Sequence, residues 1–135
     1  MEMVSSQEKE NLESYGWYSH FVVPEGGQNW VNYHTHGLPE HYGHPDFQFA
    51  LPVDGKTLHI LATRLVNRVK KGERFAAGPR VSGIMQKHDV LLIETTETQS
   101  NRRRVLRVIL PDNSGNLDEA SLTGMFASQF QELPD

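Results

Sequence analysis

Residues 17–36 alternate between apolar and polar positions with a period of two, in two stretches. Over 17–23, Trp17, Ser19, Phe21 and Val23 fall on one face and Tyr18, His20 and Val22 on the other, which predicts a strand. Pro24-Glu25-Gly26-Gly27-Gln28 is a turn of hairpin length. Residues 30–36 make the returning strand, with Trp30, Asn32, His34 and His36 on one face and Val31, Tyr33 and Thr35 on the other. A loop rich in glycine and proline leads to a third strand over 46–52, whose core face carries Phe47, Phe49 and Leu51. There the period changes. Leu58, Leu61, Ala62, Leu65, Val66 and Val69 recur at helical spacing and predict one amphipathic helix, capped by Asp54 or Thr57. Lys70 and Lys71 suit its negative end, and Gly72 stops it.

Residues 73–87 read as loop or short strand, interrupted at Gly78-Pro79. Residues 89–96 and 103–110 are strands apolar on both faces, which places them centrally in a sheet, joined by a polar loop through 99–101. Pro111 to Gly115 form a turn cluster. Residues 118–133 read as a C-terminal helix with Leu122, Met125, Phe126, Phe130 and Leu133 on one side, weakened by Gly124. Residues 7–14 read as a peripheral helix with little apolar contact. Strands and helices do not alternate as βαβ units. The expected fold is therefore α+β: a mostly antiparallel sheet of about five strands, packed by the central amphipathic helix and the C-terminal helix. The 135 residues are expected to form one domain, with 1–15 peripheral and 17–133 the core.

Composition narrows the chemistry. With no cysteine, disulfides, thiol nucleophiles and thiolate metal sites are excluded. A net charge of −4 gives no general attraction to nucleic acid or to an anionic membrane. The polar start of the chain lacks the apolar core of a signal peptide, and no run is long enough to span a membrane, so the expected location is the cytoplasm.

Four of the seven histidines fall between His34 and His44, interleaved with Gly37, Pro39, Glu40, Gly43, Pro45 and Asp46. Imidazoles and carboxylates bind divalent metals and move protons near neutral pH. His34 and His36, one residue apart on a strand, point the same way, and Glu40 could complete a metal set with them. His-x-His followed by Glu partly resembles the first metal motif of the cupin family, which implies a hydrolase or a cupin-like oxygenase. No second motif follows, and the long mid-chain helix fits a cupin barrel poorly. His44 and Asp46 offer an acid/base pair, with the plainer alternative that Asp46 caps loop amides while His44-Pro45 sets the chain direction. His41 belongs to the same cluster. The basic run Arg102-Arg103-Arg104, with Arg107, reads as a solvated edge that discourages strand addition. Trp17, Tyr18, Trp30 and Tyr33 read as core and cross-strand pairs, and His59 and His88 as structural or surface residues.

Taken together, His34-Thr35-His36-Gly37-Leu38, Gly43-His44-Pro45-Asp46, the helix ending near Gly72 and Phe75, and Arg104 to Asp112 followed by Gly115 resemble the bacterial family catalogued as domain of unknown function 4262. That likeness spans roughly residues 17–116. It departs in having His34 where the family has an aromatic, Asp46 in place of glutamate, and no tryptophan in the late strand. The resemblance implies a small cytosolic α+β domain with no established activity. It marks Thr35, Gly37, His44, Pro45 and Asp46 as positions to examine.

The function expected is a ligand- or protein-binding accessory module working through residues 34–46, binding through Thr35, Gly37, His41, His44, Pro45 and Asp46. The rival is a metal-dependent enzyme at His34, His36 and Glu40, or an acid/base site at His44 and Asp46. A divalent metal is the candidate cofactor. The candidate partners are a small molecule, a protein or a second copy of the chain, and neither nucleic acid nor membrane. These readings share one premise, that the imidazoles between positions 34 and 44 gather in one concave spot.

Overall fold

The computed structural model describes residues 16–24, 30–96 and 103–133. The helix expected over 7–14, the tip of the first hairpin and the 99–101 loop lie outside the described residues. Six strands form one sheet: β1 (Tyr18–Val22), β2 (Asn32–His36), β3 (Asp46–Phe49), β4 (Arg80–Val81), β5 (Val90–Thr96) and β6 (Arg104–Ile109), in the order β1-β2-β3-β6-β5-β4. Every pairing is antiparallel except β3 with β6. That parallel pair needs a long crossover, and the chain between Phe49 and Arg104 supplies it.

The crossover includes helix α2 (Gly55–Lys70), where the apolar stripe predicts it. Asp54 caps it, its side chain accepting from the Thr57 amide at 2.8 Å and from the Thr57 hydroxyl at 2.9 Å. The stripe of Leu58, Leu61, Ala62, Leu65, Val66 and Val69 is buried against Tyr33, Phe47, Phe49, Leu92, Leu106 and Val108. Each large side chain sealed this way contributes roughly 1.5–3 kcal/mol. Because side chains alternate, the opposite face of β1, β2, β3 and β6 carries Tyr18, His20, His34, His36, Asn32, Gln48 and Arg107. The sheet is thus apolar toward the helix and polar on the reverse. At β5 and β6 the reverse becomes apolar again, with Ile109, Leu117 and Leu122 packed beside Leu91, Ile93 and Phe130.

Three sequence expectations need correction. The sheet has six strands, because the stretch after α2 contributes the two-residue β4. The segment between β2 and β3 is not loop throughout: α1 (Leu38–Tyr42) begins after Gly37, at φ 106°, and ends at Gly43, at φ 63°. Pro39 fits there because first-turn amides need no helical partner. Third, residues 118–133 do not form one helix. A turn anchored on the Asp118 carbonyl is followed by α3 (Gly124–Ala127) and a 3-10 turn (Ser128–Phe130). Gly124 sits at φ 59°, a left-handed conformation that no continuous right-handed helix passes through. No helix among the described residues is long and apolar enough to cross a membrane.

Candidate metal centre and adjoining cavity

The buried carboxylate of Asp46 ties together the end of β2, the start of α1 and the start of β6. One oxygen accepts from the Thr35 hydroxyl at 2.8 Å and the Leu38 amide at 3.2 Å, and the other pairs with Arg103. The Thr35 hydroxyl in turn accepts from the Phe47 amide at 3.0 Å, and Arg103 also donates to the Thr35 carbonyl at 2.9 Å. Burial pushes the Asp46 carboxyl up to about 6, against the opposing pull of Arg103, Thr35 and the Leu38 amide. Asp46 therefore caps local amides, the plainer of its two sequence readings.

His44 is structural in the same sense. Its Nδ1 lies 2.7 Å from the Pro45 carbonyl, so that nitrogen carries the proton, and Nε2 accepts from the Phe75 amide at 3.0 Å. The ring packs between Phe47 and Phe75, and burial lowers its pKa, the Pro45 bond opposing the shift. Both ring nitrogens are engaged, and Asp46 is partner to neither, so the acid/base pair read for these two residues does not assemble. This imidazole joins the loop to the exit of α2.

The histidines that do converge are His20, His34 and His36. Their coordinating nitrogens all lie within 4.8 Å of one another. The alternation that puts His34 and His36 on one face of β2 also puts His20 opposite His34 across the β1–β2 ladder. Ring centroids stand 4.9 Å apart for His34–His36, 5.0 Å for His20–His36 and 5.6 Å for His20–His34. Tyr18 stacks on His36 at 5.0 Å. Burial, reinforced by Arg103, His34 and His20, holds the His36 pKa down to about 2. Near neutral pH its ring is therefore uncharged, the form that has a lone pair to offer a cation.

Behind His34 runs a line of buried polar side chains. The Asn32 carboxamide oxygen lies 3.0 Å from His34 Nδ1 and accepts from Gln48 Nε2 at 3.1 Å. The Gln48 oxygen accepts from Arg107 Nε at 2.8 Å. Arg107 also donates to the Gln129 and Gln131 carbonyls of the C-terminal segment. Burial lowers the Arg107 pKa only to about 10, so the guanidinium stays charged.

Next to the triad is a half-open cavity of about 450 Å³, lined by Tyr18, His36, Gly37, Pro39, Glu40, His41, Asp46 and Arg103. His36 belongs both to this wall and to the histidine cluster, and Tyr18, in the same wall, stacks on it. Of the residues read as binding positions, Gly37, His41 and Asp46 reach the cavity. Thr35 lies buried behind it, His44 packs on Phe75, and Pro45 borders a smaller cavity of about 210 Å³ beside Phe75 and Ala76. The imidazoles between positions 34 and 44 thus do not share one spot.

Glu40 is exposed on α1 and stands outside the three-histidine group, where His20 takes the place read for it. Sequence reading missed His20 as a ligand, although its face on β1 matched that of His34 and His36. The central place expected for residues 103–110 holds, with β6 between β3 and β5, but the reading of Arg103 and Arg107 as part of a solvated edge does not. Arg107 is buried, and Arg103 holds the Asp46 carboxylate. A family model described as a domain of unknown function, DUF4262, matches residues 11–118. No curated protein matches the chain, and no solved structure matches it.

Proposed function

Since the chain belongs to the DUF4262 family, whose description assigns no activity, we propose from its own side chains that it binds one divalent transition-metal ion through His20, His34 and His36. The observation that carries this reading is the approach of three imidazole nitrogens to within 4.8 Å of one another on one face of a two-stranded ladder. Zinc-to-imidazole bonds of about 2.0–2.1 Å in a tetrahedral arrangement put ligand nitrogens roughly 3.4 Å apart. Closing that gap takes small side-chain rotations on a fixed backbone. An all-imidazole set suits zinc, copper, nickel, cobalt or iron, and suits magnesium or calcium poorly.

Three neutral ligands leave the charge of a dication whole and a fourth position to fill. Such a centre favours water ionised to hydroxide, or an anionic ligand. The cavity on the His36 side supports an exchangeable fourth ligand of that class, with the Arg103 guanidinium in its wall. The domain is then a metal-dependent ligand-binding module.

Titration of protein purified without a polyhistidine tag tests this. Cobalt(II) should bind at one equivalent and develop visible absorption of an intensity typical of four-coordinate sites. Alanine at His20, His34 or His36 should each abolish the signal, while His41→Ala leaves it intact. Uptake below about a tenth of an equivalent by the wild type, or equal uptake by the His34→Ala variant, refutes the reading.

A further inference from the structure

Hydrogen-bond direction along the buried polar line is fixed from one end. Arg107 can only donate, so the Gln48 atom 2.8 Å from its Nε must be the oxygen. That turns the Gln48 NH2 toward Asn32, 3.1 Å away, and the Asn32 atom receiving it must be an oxygen as well. The same Asn32 oxygen lies 3.0 Å from His34 Nδ1. Two acceptors do not bond, so Nδ1 carries a hydrogen, and the lone pair of the neutral ring falls on Nε2.

Asn32, Gln48 and Arg107 are all at least nine-tenths buried, so water does not readily replace any link. His34 and Gln48 are direct ladder partners, and so are Gln48 and Arg107, which sets the chain of bonds across three strands. The Arg107 end is held by the carbonyls of Gln129 and Gln131.

We propose that Arg107, acting through Gln48 and Asn32, sets the proton tautomer of His34 and so dictates Nε2 as the nitrogen it offers to a metal ion. This rests on the three-histidine reading above and deepens it. Arg107, Gln48 and Asn32 are positioning residues: none is itself a ligand, and they act only through His34. Hydrogen-bonded outer partners of this kind typically alter metal affinity by about 10–100-fold.

The test reads the tautomer on metal-free protein. Two-bond proton–nitrogen correlation spectra of ¹⁵N-histidine-labelled protein, taken on the alkaline side of the histidine range, separate Nδ1–H from Nε2–H rings. Wild-type His34 should appear as Nδ1–H. In Gln48→Glu the introduced carboxylate still accepts from Arg107 but has no hydrogen to give Asn32. The Asn32 carboxamide then turns its NH2 toward that carboxylate and the ring, and His34 should switch to Nε2–H. Cobalt(II) affinity should fall about tenfold or more. Asn32→Asp keeps an acceptor facing the ring and should preserve the Nδ1–H signature, with cobalt affinity no lower than that of the wild type. A purely structural role for Gln48 predicts no tautomer change.

A wild-type His34 found as Nε2–H overturns the proposal without need of any variant. So does a folded Gln48→Glu protein with the Nδ1–H signature and unchanged cobalt affinity. Failure of the wild type to take up cobalt while His34 stays Nδ1–H overturns the metal reading alone, which keeps the two failures apart.

Discussion

Replacing Asp46 with asparagine isolates the energetic cost of one buried carboxylate. Asparagine keeps an oxygen for the Thr35 hydroxyl and the Leu38 amide, but it removes the charge and sets an NH2 in place of the oxygen paired with Arg103, a loss that does not vary with pH because the amide does not titrate. Burial raises this carboxyl from its ordinary 3.8 to about 6 in the folded protein. Between those values the folded chain holds a proton that the unfolded chain has released. Stability therefore falls as pH rises through this window and is flat above it. Each pH unit between the two values is worth about 1.4 kcal/mol, so the full effect is about 3 kcal/mol. Of this, about 2 kcal/mol is lost between about pH 4.5 and about pH 7.5. Urea unfolding of wild type and Asp46→Asn at those two pH values gives the answer as a difference of differences, in which the other titrating groups cancel. The wild type should lose about 2 kcal/mol relative to the variant on going to the higher pH. Parallel profiles would refute the argument. A wild type that gains on the variant as pH rises would show that the Arg103 pair outweighs burial, with the carboxyl held below its ordinary range.

Thr35→Val keeps the shape and removes a hydroxyl that both donates to Asp46 and accepts from the Phe47 amide, so it should cost about 2–4 kcal/mol in urea unfolding. His44→Ala removes the acceptor of the Phe75 amide and a ring packed on Phe47, and should cost a similar amount, about 2–4 kcal/mol. Hydrogen exchange should show the Phe75 amide losing protection in that variant. Because the His44 pKa is lowered in the fold, mainly by burial, its contribution is complete above the unfolded value and is lost as pH falls through it toward the folded one. Acid unfolding should accordingly be less steep in His44→Gln than in the wild type.

The apolar stripe of α2 and the alternation of the first hairpin were legible because each is a local pattern with one physical solution, while the cap of α2 was legible only as Asp54 or Thr57. So was the shared face of His34 and His36. The exact cross-strand partner of His20 was not, since it depends on hairpin register. Yet any register that sets an even-numbered β1 residue against an even-numbered β2 residue puts His20 on the His34 face. Parity alone could have found the third imidazole. The central place of residues 103–110 was legible from their two apolar faces, but the parallel β3–β6 pair is a long-range choice, and with it Arg107, read as part of a solvated edge, is buried. The short helix α1 was hidden by Gly37, Pro39 and Gly43, residues that mark loops and also bracket a single helical turn. At the C-terminus a run of helical spacing was cut by one glycine at positive φ.

Three imidazoles from two paired strands are proposed to hold one ion. X-ray absorption at the zinc edge, on untagged protein loaded with one equivalent, tests it most directly. The expected coordination sphere contains three imidazole nitrogens at about 2.0–2.1 Å, with one further light-atom ligand. In His20→Ala that sphere should lose one imidazole. A sphere of oxygen ligands only, or one unchanged by the His20 substitution, would contradict it.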